Sequence, residues 1–70
     1  METVKIKVIE DEQAGGWYAR AYDDEGGERD CPDLADTSEE MSGLSDDDVR
    51  GHVRGDSIAG DVADDCPVIR

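Results

Sequence analysis

The 70-residue chain contains no phenylalanine, two lysines, two prolines, two cysteines and three aromatic residues in all. Each shortage excludes something. With no Phe, and Leu confined to Leu34 and Leu44, any core must be assembled mainly from Val, Ile and Ala. A chain this short forms one domain, which buries only about 60% of its unfolded surface. No run approaches the ~20 apolar residues of a membrane span. No basic stretch followed by an apolar run opens the sequence. These absences predict a soluble cytoplasmic protein with no membrane partner. Cys31 and Cys66 are too few for the multi-bridge framework of a small secreted domain, and a cytoplasmic location favours free thiols.

What the chain has in excess is acid: 20 Asp and Glu against 7 Lys and Arg, a formal charge of −13. Most of these acids are the short Asp. Such a surface holds water and cations, and the near absence of long lysine stems avoids presenting apolar surface to a medium that strengthens hydrophobic association. The composition therefore reads as adaptation to a salt-rich cytoplasm. It speaks of solvent, and net charge does not specify fold or chemistry. The low apolar content, 36% against 39% charged, borders on that of disordered chains. Periodic clustering of the apolar residues argues instead for a folded domain in salt, where the Debye length shrinks to about 3 Å at 1 M.

Residues 3–10 alternate, with Val4, Ile6 and Val8 on one side and Thr3, Lys5 and Lys7 on the other, as in a half-buried strand. Its outward lysines are expected either to lie across from acids on a neighbouring strand or to discourage edge pairing. After Asp11 to Gly16, residues 16–23 read as a second strand of a hairpin. There Trp17, Ala19 and Ala21 share one face, and Tyr18, Arg20 and Tyr22 the other. A turn at Asp23 to Gly27 leads to a short third strand over 28–31, ended by Pro32. Thr37 with Glu40 forms a capping-box pattern, and Ser45 followed by three aspartates marks a second helix start. The second segment carries Val49, His52 and Val53 on one face, continued by Ser57. Gly51, Gly55 and Gly60 threaten to break it, since each costs roughly 1 kcal/mol relative to Ala inside a helix. The expected fold is thus α+β: a small antiparallel sheet of two or three strands against one or two short helices within 37–58. Residues 59–70 read as a poorly ordered tail.

Candidate chemistry is sparse. Asp46, Asp48 and Gly51 imitate the first, third and sixth positions of a calcium loop, but Arg50 and Ser57 occupy the fifth and twelfth, where ligands are needed. Cys31, His52 and Cys66 supply three ligands that a nearby Asp would complete as a zinc site, although the short spacings of zinc motifs are missing. The two cysteines could also pair with each other or remain separate buried thiols. Catalysis by either thiol is disfavoured, because the acidic field opposes a thiolate. Nucleic-acid stacking on Trp17, Tyr18 and Tyr22 is disfavoured because acids, and not cations, flank the aromatic strand. No cofactor is expected. Trp17, Tyr18, Arg20 and Tyr22 are the predicted partner-contact residues, given the enrichment of Tyr, Trp and Arg in interfaces.

Three stretches, Val4 to Glu12, Gly16-Trp17-Tyr18-Ala19-Arg20 and Ala35-Asp36-Thr37-Ser38-Glu39-Glu40, resemble the small HicB-like antitoxin domain. That resemblance implies three strands followed by a helix, and an antitoxin role in which the acidic surface covers a basic toxin. The family's Pro-Gly-Cys stretch and long Ala- and Leu-rich helix are not reproduced. The residues by themselves predict a non-enzymatic interaction module that forms a homodimer through a sheet edge or the Val49 and Val53 face, because so small a core calls for supplement. A metal-binding or thiol redox protein, and an acidic decoy for a basic partner, are the competing readings. If salt adaptation is correct, far-ultraviolet circular dichroism will show structure gained between dilute buffer and several molar KCl. A fold complete at low salt, with no gain in stability, would refute it.

Overall fold

Strand alternation holds along the first strand except at one residue. The computed structural model describes residues 2–55 and 61–70, apart from the Pro32 side chain. Strand β1 (Glu2–Glu10) pairs antiparallel with β2 (Trp17–Asp23), and β2 with β3 (Glu28–Ala35). Ile9 lies opposite Tyr18, Lys7 opposite Arg20 and Lys5 opposite Tyr22, yet Thr3 lies opposite Asp23, so Val4 is an extra residue in β1. A bulge of this kind reverses which side chains face inward beyond it. Thr3 is accordingly buried, at 2% exposure, while Val4 is 45% exposed, the opposite of the simple alternating pattern.

Both hairpin turns are built on an aspartate. Asp11 Oδ1 accepts hydrogen bonds from the N–H groups of Gln13 and Ala14, each 3.1 Å. Asp23 Oδ1 accepts from Glu25 and Gly27 at 2.9 and 2.8 Å. These are Asx-type turns, in which a short carboxylate satisfies backbone donors that no strand partner reaches. Gly16 is required where the first turn closes. Its φ is 89°, and a Cβ there would stand 2.8 Å from the Ala35 carbonyl oxygen.

Strand β3 continues through Pro32, past the end expected at residue 31. The sheet order β3-β2-β1-β4 makes β3 an edge, where an outward-facing position needs no N–H. The β2–β3 register slips between Tyr18 and Arg20, opposite Cys31 and Pro32.

Helix α1 (Ser38–Gly43) starts at Thr37, whose Oγ1 accepts from the Glu40 N–H at 3.2 Å. The return bond to the Glu40 carboxylate comes from the Asp36 N–H at 3.4 Å, one residue before the position a standard capping box uses. At α2 (Asp46–Arg54) the box is complete: Ser45 Oγ accepts from the Asp48 N–H at 3.1 Å and Asp48 Oδ2 from the Ser45 N–H at 2.9 Å. Gly51 does not break this helix. The cap and two fully buried anchors, Val49 and Val53, outweigh its cost. Ser57 and Gly60 lie outside the described residues. Because Val49 and Val53 are consumed in the chain's own core, they are not the association face the sequence suggested.

Two further strands, β4 (Asp61–Val62) and β5 (Val68–Ile69), pair parallel with β1. Among the described residues the sheet therefore has five strands and mixed direction, correcting the expectation of two or three antiparallel strands. Where the sequence pattern suggests a poorly ordered tail over 59–70, Asp61–Val62 and Val68–Ile69 join the sheet; residues 59 and 60 lie outside the described residues. Arginines hold this segment. Arg50 Nε donates to the Cys66 carbonyl at 2.8 Å and Arg54 Nε to that of Val62 at 3.0 Å. Arg70 Nη2 reaches the Leu44 carbonyl at 2.6 Å and Nη1 that of Met41 at 3.3 Å, closing the end of α1.

Helices cover one sheet face, enclosing Ile6, Val8, Ala19, Ala21, Val49 and Val53. In high-salt denaturant titrations, Val53→Ala should cost about 2 kcal/mol by leaving a cavity. Gly51→Ala, whose Cβ meets nothing within 4 Å, should add up to about 1 kcal/mol. No loss from Val53→Ala would contradict the buried position of that side chain.

Candidate interaction face

The second sheet face carries no helix among the described residues. Register decides what lies there. Tyr22, Arg20 and Tyr18 project from β2, and their cross-strand partners Lys5, Lys7 and Ile9 project from β1 beside them. On the other flank, β3 contributes Glu28 opposite Tyr22, Asp30 opposite Arg20 and Asp33 opposite Tyr18. Ile69 of β5 lies opposite Lys7 and is 43% exposed. Among the described residues, Val4, pushed outward by the bulge, and Ile69 are the exposed large hydrophobics, and both flank the lysines.

Polar contacts fix this surface. Arg20 Nε donates to Asp30 Oδ1 at 2.7 Å and Nη2 to Oδ2 at 3.4 Å, a two-point pairing of guanidinium and carboxylate. That bonding raises the already high guanidinium pKa. The same Nη2 donates to the Tyr18 hydroxyl at 3.3 Å. The Lys5 Nζ stands 4.5 Å from the Tyr22 ring centroid, and the Arg20 guanidinium carbon 5.9 Å from that of Tyr18. Cations over aromatic faces attract the ring quadrupole and hold both partners in place. Across the β1–β2 pair the lysines thus face Tyr22 and Arg20, and of the two expectations for them the one that set them across from acids does not hold.

Of the predicted contact residues, Tyr18, Arg20 and Tyr22 are brought together. Trp17 is not. It packs against the helix-side core and borders an apolar cleft with Val8 and Met41. Lys5, Lys7, Ile9, Val4 and Ile69 are face residues that sequence reasoning did not select. Strand period does turn both lysines outward, but their place beside the tyrosines follows from cross-strand register.

The other candidates separate. Cys31 lies in β3 and Cys66 before β5; both are buried and neither is in a disulfide. His52 is half-buried on α2. Among the described residues, no three His, Cys, Asp or Glu side chains are grouped to hold a metal ion. The imitation of a calcium loop is a helix start: Asp46 pairs with Arg70, Asp47 with Arg50, and Asp48 caps α2.

Cys66 Sγ lies 3.7 Å from the Thr3 carbonyl oxygen, and burial pushes its thiol pKa up. Folding then favours the protonated thiol, so its contribution to stability is full below the unfolded pKa of about 8.5 and declines as pH rises above it. Equilibrium unfolding across this range should show an alkaline decline that Cys66→Ala flattens. An identical pH slope in the variant would contradict this assignment. Comparison of the chain with protein-family models, curated proteins and solved structures finds no match.

Proposed function

We propose that this chain is a non-enzymatic interaction module of a salt-rich cytoplasm that docks through its open sheet face. One observation carries the reading: the helix-free face gathers both lysines, Arg20, Tyr18 and Tyr22, with Val4 and Ile69 alongside, and the first turn's acids, Glu10, Asp11 and Glu12, border it only at the Tyr18 end. Tyr and Arg give an interface large contact area and directional bonds, and both are enriched where binding energy concentrates. The geometry lowers the entropic cost of such a contact. Arg20 is held between Asp30 and Tyr18, and Lys5 over Tyr22, so fewer rotamers are lost on binding.

An acidic decoy, or an antitoxin-like cover for a basic partner, would dock through the carboxylates instead. The sheet reading is favoured because this face sets Lys5, Lys7 and Arg20 beside both tyrosines in a chain whose formal charge is −13. Nitration of tyrosine, read by mass spectrometry, separates the two. Tyr18 and Tyr22 should be protected in a native high-salt extract compared with the purified, dilute protein. Equal nitration in both would remove the proposal, and protection confined to carboxylates in a parallel carbodiimide footprint would transfer the role to the acidic surface.

A further inference from the structure

Charge is distributed unevenly across the open face. In strand order, Lys5 and Lys7 occupy β1, the Tyr22, Arg20 and Tyr18 row occupies β2, and Glu28, Asp30 and Asp33 occupy β3. Across the Tyr22 and Arg20 rows the face is positive on one side of an aromatic midline and negative on the other, while at the Tyr18 end Glu10, Asp11 and Glu12 join Asp30 and Asp33 around the ring. Residues also align along the strands: Lys5, Tyr22 and Glu28 form one cross-sheet row, and Lys7, Arg20 and Asp30 the next.

We propose that the occupant of this face is a second copy of the chain, packed face to face about a two-fold axis that runs along β2. The proposal rests on the reading of the open face as a docking surface. An axis in the plane of the interface and parallel to β2 exchanges left and right while keeping position along the strand. It therefore places β1 of one copy over β3 of the other. Lys5 meets Glu28 and Lys7 meets Asp30, and the two-fold makes each contact twice. A C2 contact must be self-complementary in this way, with residue i on j and j on i. The alternative axis, across the strands, would put lysine on lysine and acid on acid.

At the midline the tyrosines of the two copies meet. Arg20 would approach its copy there, but each guanidinium already carries its own carboxylate, Asp30, 2.7 Å away. Neutral pairs and not bare cations come together. Asp33 ends its row at the rim, where water remains. Strands about 4.8 Å apart and about 3.4 Å of rise per residue make the face roughly 20 by 24 Å. Such a contact belongs to the smaller class, below about 1,200 Å² of total buried surface. Self-association in the micromolar range or weaker follows.

Charge reversal tests the arrangement, because it is complementary between strands. Sedimentation velocity on a concentration series would be run in about 1 M KCl, where only charges within about 3 Å of each other escape screening. Circular dichroism would establish that each protein is folded in that buffer. The wild-type chain should dimerise. Lys5→Glu with Lys7→Glu places acid over acid, and Glu28→Lys with Asp30→Lys places base over base, so each double variant alone should associate at least about tenfold more weakly. Mixed in equal amounts, the two should recover association as a heterodimer, since each β1 then lies over a β3 of opposite sign. Failure of the mixture to recover, or dimers that persist in both variants, would overturn the arrangement. A purified chain that stays monomeric, with Tyr18 and Tyr22 still protected in the native extract, would overturn the second copy and leave the docking face standing. A dimer whose tyrosines remain fully reactive would overturn both.

Discussion

Alanine at positions 19 and 21 sets how closely the helical layer can approach the sheet. Both are buried on β2, in the same core as Val49 and Val53 of α2, and none of these side chains reaches beyond two carbons from its Cα. With no Phe in the chain and Met41 the longest buried apolar residue, layers can touch only if they lie close. Small residues on the sheet permit that approach, and dense packing makes short side chains effective. The rest of the architecture serves it. β1 is flanked on both sides, by β2 and by β4 with β5, and its fully buried Ile6 lies at the centre of the cluster.

The charged residues have a larger structural part than their number on the surface suggests. Asp11 and Asp23 build the hairpin turns, Asp48 and Glu40 accept from backbone donors at helix starts, and Asp46, Asp47 and Asp64 meet arginines that reach across to main-chain carbonyls. Exposed ion pairs contribute little by themselves and less in salt. The arginine bonds to carbonyls of Leu44, Val62 and Cys66 are different, because they supply donors to main-chain acceptors at the end of α1 and along the irregular C-terminal segment. Salt can therefore screen the repulsion among the acids without removing what the arginines do.

That division leaves one surface outside the scheme. Acids are spent on turns and caps, arginines 50, 54 and 70 on the C-terminal segment, and the helices on one side of the sheet. The lysines, Arg20 and both tyrosines remain together on the other side, with opposite charges on its two flanks. A small core and the proposed self-docking face are physically consistent, since association would supply burial that seventy residues alone provide sparingly.

Sequence by itself determined the local features. The β1–β2 hairpin, the Asp-led turns, the helix starts at Thr37 and Ser45, and the shared face of Tyr18, Arg20 and Tyr22 all follow from period-two alternation and from capping chemistry within four residues. The calcium-like run, the cysteines and Trp17 show the limit of such reading: residue type suggested chemistry, but the fold sent Asp46 to Arg70, the two thiols to separate buried positions and Trp17 to the core side. Only the tertiary structure decided the bulge that exchanges Thr3 and Val4, the passage of β3 through Pro32, and the parallel β4 and β5. A bulge depends on the partner strand's register, a proline is tolerated or not according to whether its strand is an edge, and two-residue strands have no period to read. These are properties of pairs of distant segments, and no window of a single strand contains them.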